Sequence, residues 1–291
     1  MPVKFIYINV AVFVVVKVAG LVMTLSGVSP GLMLRYLEMP SVPWMLLRYP
    51  WTVLTYMFTH YDLLHILFNM LFLYWFGALF LQFFSPRQFV GLYLIGGVGG
   101  AVFYLLAYNL LPYFSGVVGM MLGASASILA VVVATAVRAP DYKIRLFLIG
   151  AISLKWLAII TIFLDLISIG SDNSGGHIAH IGGAAVGLLF GLCYRGGRDI
   201  TAPVNAVIDW VVNLFRRRPS VRVGDAYRRR WWQRRPEAAA SSGQPATGAD
   251  PTERERAEAE MDAILDKIKK SGYKALTADE KRRLFETTKK L

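Results

Sequence analysis

Long apolar segments separated by short polar stretches fill the first two-thirds of this chain. A membrane-spanning helix needs roughly 20 apolar residues, at about 1.5 Å each, to cross a hydrocarbon core of about 30 Å. Segments of approximately this length predict six helices: residues 5–25, 63–84, 89–111, 117–137, 156–171 and 178–194. We therefore predict an all-α, multi-pass membrane protein whose six-transmembrane-helix bundle occupies residues 1–195.

The fifth apolar segment is the least regular of the six. It extends over residues 144–169, and Lys155 and Trp156 divide it. A Lys–Trp pair commonly marks the interface between membrane and water. We therefore begin the fifth helix at residue 156 and interpret residues 144–154 as a shallow lead-in.

The last third of the chain follows a different pattern. Apolar residues recur on one helical face over residues 201–215, and arginines and tryptophans follow them. This pattern is typical of a basic amphipathic segment, here 196–235, and we expect residues 201–235 to lie on the anionic inner leaflet of the bilayer. Residues 236–252 are rich in Ala, Ser, Gly and Pro, which predicts a flexible linker.

Residues 253–291 predict a cytoplasmic helical hairpin. Ser271 and Gly272 end one amphipathic helix, and residues 277–280 form a capping box that opens the second helix. Two short helices bury little apolar surface by themselves. We therefore expect the hairpin to dock on a protein partner, on a second copy of the chain, or on the membrane.

Composition and charge support the membrane interpretation. The 291 residues are 55% hydrophobic and 17% charged, whereas soluble domains are about 45–50% apolar and about 25% charged. Residues 1–194 are strongly apolar and carry a net charge of +4, whereas residues 195–291 are rich in charged residues and carry a net charge of +8. An apolar first two-thirds followed by a charged last third excludes a single soluble globule. The positive-inside rule explains the basic tail, so we expect no nucleic acid partner. The one cysteine, Cys193, excludes an intrachain disulfide.

The loop charges also predict an orientation. Arg87, the basic loop at 138–145 and the tail fall on one side, which we predict to be cytoplasmic. The loop at 170–177 contains no Lys or Arg and lies on the other side, together with the loop at 26–59, which is rich in Pro and Trp. Both termini are then cytoplasmic.

Polar side chains at the helix starts converge at one membrane depth. His60 and His65 open the second predicted helix, and His177 and His180 open the sixth. In a protein with a cytoplasmic N-terminus, all even-numbered helices begin at the outer face. The start of the fourth helix, at residues 123–127, therefore lies at that depth as well. Because polar groups are costly in lipid, such a cluster is a functional candidate.

Ser125 has the surroundings of a serine nucleophile. It lies among small residues at a helix N-terminus, where free backbone N–H groups can stabilise an oxyanion, and a nearby histidine would be its base. Asn69 follows His65 by one helical turn on the same face. The charged residues Lys17 and Asp165 also lie in apolar segments, and we expect them to reach the interface or to pair structurally.

Three glycines follow His180 at intervals of four residues: Gly183, Gly187 and Gly191. This stripe of small residues predicts close packing of the sixth helix on a neighbour, which we expect to be the fourth helix.

The chain resembles the rhomboid intramembrane serine proteases in three stretches, HYDLLHILFN (60–69), GASA (123–126) and AHIGG (179–183). Their order and spacing match the family. The resemblance is to bacterial members with an extra C-terminal cytoplasmic segment, and it implies a six-helix rhomboid bundle in a bacterial inner membrane. It also implies a hydrolase that cleaves transmembrane or juxtamembrane segments of membrane proteins, with the active site open to the outer face.

The resemblance implies a role for each motif residue. Ser125 would be the nucleophile and His180 the general base, in a dyad without an acid. Four more residues would hold the oxyanion or shape the site: His65, Asn69, His60 and Gly123. The resemblance implies neither a metal ion nor a cofactor.

Two positions depart from the family pattern. Thr52 stands where many members have an arginine after a tryptophan, so other contacts, such as those of Arg48, must hold the outer loop. Leu129 stands where some members place a tyrosine against the catalytic histidine. Neither change removes a group of the dyad or the oxyanion site.

Two other functions remain open at the level of sequence. The four histidines, with Asp62 nearby, could hold a metal ion or haem, although no standard ligand motif is present. A catalytically weak or inactive rhomboid-like protein could instead bind membrane clients, but such a protein would normally have lost its serine or histidine.

Overall fold

The computed structural model describes residues 1–146, 150–215, 263–264, 266–267 and 276–282. The chain divides into two compact units, residues 1–218 and 219–291. The first unit is mostly helical, and its helices in the described part are α1 (Pro2–Leu25), α2 (Gly31–Leu34), α3 (Pro43–Arg48), α4 (Thr52–Thr55), α5 (Leu63–Phe80), α6 (Pro86–Leu110), α7 (Ser125–Arg138), α8 (Leu154–Ile167), α9 (Ser174–Arg195) and α10 (Ala202–Phe215). Short 3-10 helices cover Tyr56–Phe58 and Pro112–Phe114.

Four of the described helices are long and apolar enough to cross a membrane: α1, α5, α6 and α9. They correspond to the first, second, third and sixth predicted helices. In contrast, α7 and α8 have 14 residues each, or about 21 Å of helix, which is shorter than a hydrocarbon core of about 30 Å. The prediction of six full-length spans is therefore not confirmed.

The short helix α7 lies at the centre of the bundle. Every residue from Ala126 to Ala136 is buried, and α5, α6, α8 and α9 pack against this helix. A helix that neighbours enclose in this way does not have to match the thickness of the lipid. Its burial thus explains how an apolar helix of this length is stable in the bundle.

The start of α7 differs from the predicted start at residue 117. Residues 117–124 are not helical, and within them β2 (Met120–Met121) pairs antiparallel with β1 (Met39–Pro40). The Gly123 backbone N–H donates to the Tyr56 carbonyl at 2.9 Å. Because of these long-range contacts, the helix begins only at Ser125.

Residues 143–153 correct the all-α prediction. Where the sequence predicted a shallow lead-in to the fifth helix, β3 (Lys143–Leu146) and β4 (Gly150–Ser153) form an antiparallel pair. A short apolar run such as this one is ambiguous between strand and helix in the sequence. Together with the β1–β2 pair, the β3–β4 pair makes the described part of the protein mostly helical with two short two-stranded sheets.

The outer loop at 26–59 folds into short helices that side chains tie to the backbone. The Trp51 indole N–H donates to the Tyr36 carbonyl at 2.9 Å, and the Thr55 hydroxyl donates to the Leu37 carbonyl at 2.8 Å. Both bonds connect α4 and the residue before it to the segment between α2 and β1. Contacts other than the family's arginine thus hold the loop, as expected.

Thr52 itself is fully buried at the start of α4. Its hydroxyl donates to the Tyr49 carbonyl at 2.7 Å, so this buried polar group has an acceptor. Arg48 was expected to contribute to the loop, and its guanidinium lies 5.8 Å from the centroid of the Tyr49 ring. The outer loop therefore keeps this geometry without an arginine at position 52.

The predicted glycine stripe packs α9 on α7, which confirms that prediction. A Cβ atom at Gly183 would lie 2.1 Å from the Ala126 carbonyl oxygen, and one at Gly187 would lie 2.3 Å from the Ala130 oxygen. At Gly191, the nearest atom would be a Val137 side-chain carbon at 2.7 Å. The two helix backbones can approach this closely only because these positions carry no side chain.

The helix predicted over 201–215 is present as α10 (Ala202–Phe215). Its Asp209 forms an ion pair with Arg87 at the start of α6, and α10 packs against α6. It leaves exposed apolar side chains that include Val207, Trp210 and Leu214. The remainder of the basic segment, residues 216–235, and the predicted linker at 236–252 lie outside the described residues.

The second unit is described only over short stretches. The predicted capping box is confirmed, because Glu280 accepts from the Thr277 N–H at 2.7 Å and the Thr277 hydroxyl accepts from the Glu280 N–H at 3.4 Å. Lys267 Nζ lies 2.8 Å from the Glu280 carboxylate. The hydrogen bond from Lys267, followed by that from Thr277, lowers the pKa of Glu280 from 4.5 to about 2.

Candidate active site

Ser125 and His180 are in direct contact although 55 positions separate them in the chain. His180 Nε2 lies 2.6 Å from Ser125 Oγ. Ser125 is the first residue of α7, and His180 lies in the second turn of α9. The close packing of these two helices brings the side chains together. A hydroxyl at this distance from an imidazole can transfer its proton to the ring during a nucleophilic attack.

The backbone that leads into Ser125 passes between two histidines. Gly123 has φ +121°, and a Cβ atom there would lie 2.7 Å from His65 Cε1. Glycine is required at this position because other residues rarely adopt that φ and would clash with the ring. The next backbone N–H, of Ala124, donates to His60 Nε2 at 3.3 Å.

His60, His65 and Asn69 lie together around the start of α5. The two imidazole centroids are 5.1 Å apart, and the Asn69 amide donates to the His65 carbonyl at 3.0 Å. Asp62 caps α5 by accepting from the His65 N–H at 2.9 Å. This capping bond accounts for Asp62, which was considered as a partner of the four histidines.

A cleft of about 590 Å³ contains the predicted site residues Ser125, His180, His65 and Asn69 among its lining side chains. Phenylalanines of α5 and the residues Leu157 and Thr161 of α8 also line it. Ligand sites in proteins are commonly clefts of about 300–1,000 Å³ with apolar walls and a few polar groups. The other two predicted residues, His60 and Gly123, contact Ala124 and His65 as described above.

Ser127 and Leu129 lie on α7 within one turn or so of the dyad serine. Ser127 Oγ is buried 3.9 Å from Met57 Sδ, so the second serine of α7 has a partner outside the dyad. Leu129 is buried and lines the same cleft as Ser125. It therefore supplies an apolar wall where some family members have a tyrosine.

Asp165 is the residue that the sequence analysis did not assign to the site. It lies on α8 with a side-chain exposure of 8%, and its Oδ1 is 2.8 Å from His180 Nδ1 and 2.8 Å from His177 Nδ1. The signal available in the sequence was an acidic residue inside an apolar segment, which is often functional. That signal alone does not identify its partners.

Asp165, His177 and His180 also form a group whose potential metal-ligating atoms lie within 4.8 Å of one another. This set differs from the four-histidine set considered from the sequence. In the structure the carboxylate contacts both Nδ1 atoms directly, and the other nitrogen of His180 contacts Ser125.

Comparisons with known proteins agree with the motifs. The Rhomboid domain model matches residues 47–197, which is just over half of the chain, and a family of unknown function (DUF6576) matches residues 252–290. RHOMBOID-like protein 12, mitochondrial, of Arabidopsis thaliana is 33% identical over 50% of this chain and 47% of its own length. Presenilin-associated rhomboid-like protein A, mitochondrial, of Danio rerio is 32% identical over 48% of this chain and 35% of its own length.

These matches span less than half the length of either relative. Both relatives are named as mitochondrial, so they give no support to the predicted bacterial type and bacterial inner membrane. The matched domain, the apolar helices and the motif spacing are nevertheless consistent with one another. The chain is therefore an integral membrane protein that belongs to the rhomboid domain family.

Proposed function

We propose that this protein is an intramembrane serine endopeptidase that cleaves transmembrane or juxtamembrane segments of membrane proteins. The observation that carries the proposal is the 2.6 Å contact between His180 Nε2 and Ser125 Oγ, in a chain of the rhomboid family. Rhomboid proteins typically have this activity, and the chain retains both groups of the dyad.

Ser125 is the nucleophile in the proposed reaction. His180 Nε2 accepts the hydroxyl proton while Oγ attacks the scissile carbonyl carbon. The protonated ring then donates that proton to the leaving amine, the C–N bond breaks, and an acyl-enzyme remains on Ser125. Water, activated by the same nitrogen, hydrolyses the ester and regenerates the serine.

The oxyanion requires donors that are in place before the attack. The backbone N–H of Ser125 is one, because the first N–H groups of a helix have no intrahelical acceptor. The side chains of His65 and Asn69 line the same cleft and are the other proposed donors. His60 and Gly123 shape the site by holding the backbone at Ala124 and allowing its close approach to His65.

The proposed membrane orientation follows from the arginines at one end of the first unit. At one end, Arg195 donates to the Val137 carbonyl at 2.5 Å, and Arg87 pairs with Asp209. We propose that this basic end is cytoplasmic and that Ser125, at the opposite end of α7, opens toward the outer face. Both termini are then cytoplasmic.

The proposed organisation has four parts: a rhomboid domain over 1–195, a basic juxtamembrane segment over 196–235, a linker over 236–252 and a helical hairpin over 253–291. The exposed apolar side chains of α10 support contact between 201–235 and an anionic leaflet. The separate family match at 252–290 supports an independent role for the hairpin, which we propose to be binding of a partner or of a second copy.

A fluorophosphonate probe tests the catalytic proposal with the full chain in detergent or liposomes. Wild type should be labelled, whereas Ser125→Ala and His180→Ala should not. Ser127→Ala is a matched control on the same helix and should be labelled at the wild-type rate, because Ser127 contacts Met57. Labelling that persists in Ser125→Ala would contradict the assignment of the nucleophile.

The same experiment separates the proposed enzyme from an inactive client-binding protein. Folded wild type that cannot be labelled would favour client binding, and binding of transmembrane peptides would then be measured directly. A chelator should leave labelling unchanged in a serine hydrolase. Loss of labelling on chelation would favour the metal set of Asp165, His177 and His180.

A further inference from the structure

We propose that Asp165 is a positioning residue for His180, so that the described site works as a Ser–His–Asp relay and not as a dyad without an acid. The inference rests on the proposed serine protease function. Its basis is geometric: one ring nitrogen of His180 lies 2.6 Å from Ser125 Oγ, and the other lies 2.8 Å from Asp165 Oδ1. The same imidazole therefore contacts the nucleophile and the carboxylate.

The first consequence concerns the tautomer of His180. To receive the serine proton, Nε2 must be unprotonated before the attack, so the ring proton must lie on Nδ1. An ionised carboxylate can only accept hydrogen bonds. Asp165 Oδ1 therefore favours the tautomer with Nδ1–H and holds the ring in the plane that points Nε2 at Ser125.

The second consequence concerns charge during the reaction. When the Ser125 proton moves to Nε2, His180 becomes a cation next to the buried Asp165. A negative charge at 2.8 Å stabilises that cation, while the Nδ1 proton stays on the ring and Asp165 stays ionised. The proton on Nε2 then leaves with the amine product, so the relay ends in its initial protonation state.

His177 shares the carboxylate and sets the size of the effect. Its Nδ1 also lies 2.8 Å from Asp165 Oδ1, so one oxygen receives two imidazole groups. The other oxygen, Oδ2, is buried and has no hydrogen-bond partner in the described residues. The interaction with His180 should therefore be weaker than in a triad whose aspartate serves one histidine alone.

The contacts of His177 also distinguish positioning of the His180 ring from simple neutralisation of the Asp165 charge. If Asp165 only needed a partner for its buried charge, His177 would satisfy that need by itself. The contact with the catalytic ring adds a function that His177 lacks, because no described contact joins His177 to Ser125. The two roles predict different effects of substitution at 165 and at 177.

The test compares Asp165→Asn with wild type by the kinetics of fluorophosphonate labelling in the full-length protein. The maximal labelling rate (kinact) and the half-saturating probe concentration (KI) separate chemistry from binding. Loss of the aspartate charge in a soluble serine protease triad costs about 10⁴-fold. Because Oδ1 is shared here, we expect kinact to fall by about 10- to 100-fold with KI unchanged.

Two control variants accompany Asp165→Asn. Asp209→Asn makes the same chemical change at an exposed ion pair with Arg87 and should leave kinact unchanged. His177→Asn removes the competing imidazole, so that Asp165 Oδ1 serves His180 alone, and kinact should be equal to or higher than that of wild type. Wild-type labelling should also be insensitive to a chelator, because the proposed relay contains no metal ion.

The outcomes separate the inference from the function on which it rests. A wild-type rate in Asp165→Asn would overturn the relay and leave the Ser125–His180 dyad in place. A changed KI with unchanged kinact would also overturn it. Failure of wild type to label would overturn the proposed function and the relay with it.

If Asp165→Asn shows no thermal unfolding transition, Asp165→Glu makes the same comparison with the charge retained. The longer side chain displaces the carboxylate, and we expect a lower kinact at unchanged KI. A full wild-type rate for this variant would contradict positioning by Asp165.

Discussion

Replacing Gly183 with alanine should push α9 away from α7 immediately beyond the Ser125–His180 pair. The added Cβ atom would lie 2.1 Å from the Ala126 carbonyl oxygen, whereas real Cβ atoms essentially never come within 3.0 Å of such an atom. The obstacle is backbone, which cannot rotate away as a side chain can. The helices must therefore separate by about 0.9 Å at this point.

The magnitude follows from the position of Gly183 on α9, three residues after His180. A separation of about 0.9 Å would lengthen the 2.6 Å contact between His180 Nε2 and Ser125 Oγ to about 3.5 Å, which is too long for a good hydrogen bond. A misplacement of about 1 Å can reduce a catalytic rate by about 100-fold. Overpacking of this kind costs about 1–3 kcal/mol of the free energy of unfolding.

The assay is kinact for fluorophosphonate labelling, measured beside thermal unfolding in the same detergent. Gly196→Ala is the matched control, because it lies at the end of the same helix and its Cβ would come no closer than 3.4 Å to the Cys193 carbonyl oxygen. This control should leave both measurements unchanged. If Gly183→Ala is labelled at the wild-type rate, the link between helix packing and the dyad is refuted.

Three further substitutions test separate parts of the structure. Gly123→Ala should abolish labelling, because its φ of +121° disfavours alanine and its Cβ would lie 2.7 Å from the neighbouring imidazole. Tyr56→Phe should lower the free energy of unfolding by about 1–3 kcal/mol in chemical denaturation, because it removes the buried 2.6 Å hydrogen bond to the Gly97 carbonyl. Lys267→Met should raise the pKa of Glu280 from about 2 toward 4.5 in a carboxyl NMR titration. In the unaltered chain, the stability from this depressed pKa is complete above about pH 4.5 and is lost as the pH falls through about 2.

Each of these predictions has a control or a contradicting result. Gly116→Ala shares a positive φ, +77°, but nothing lies within 4 Å of its Cβ, so it isolates backbone strain from the histidine contact. Tyr113→Phe changes an exposed tyrosine and should be neutral. An unshifted Glu280 titration in Lys267→Met would contradict the assigned cause.

The apolar pattern and the motif order predicted much of this protein. Four of the six predicted helices have counterparts that are long enough to cross a membrane, because some 20 apolar residues in a row form a strong local signal. Helix parity also predicted that residues near His65, Ser125 and His180 would meet, and one cleft contains all three. The amphipathic helix over 201–215 and the capping box at 277–280 were likewise readable from local sequence.

Contacts between distant segments decided the remaining features. Pairing of β2 with β1 and the bond from Gly123 to Tyr56 set the start of α7 at Ser125, and no local signal marks either. The β3–β4 hairpin replaced a predicted lead-in because a short apolar run can form a strand or a helix. The sequence alone therefore could not predict these boundaries.

Asp165 shows most clearly the difference between what local sequence indicates and what tertiary contacts decide. The sequence marks it as an acid in an apolar segment, but its partners at positions 177 and 180 belong to another helix. Only the packing of α8 and α9 brings its carboxylate within 2.8 Å of the ring that contacts Ser125. Local sequence thus determines which residues can carry chemistry, whereas the distances that make them act together depend on the close packing of helices far apart in the chain.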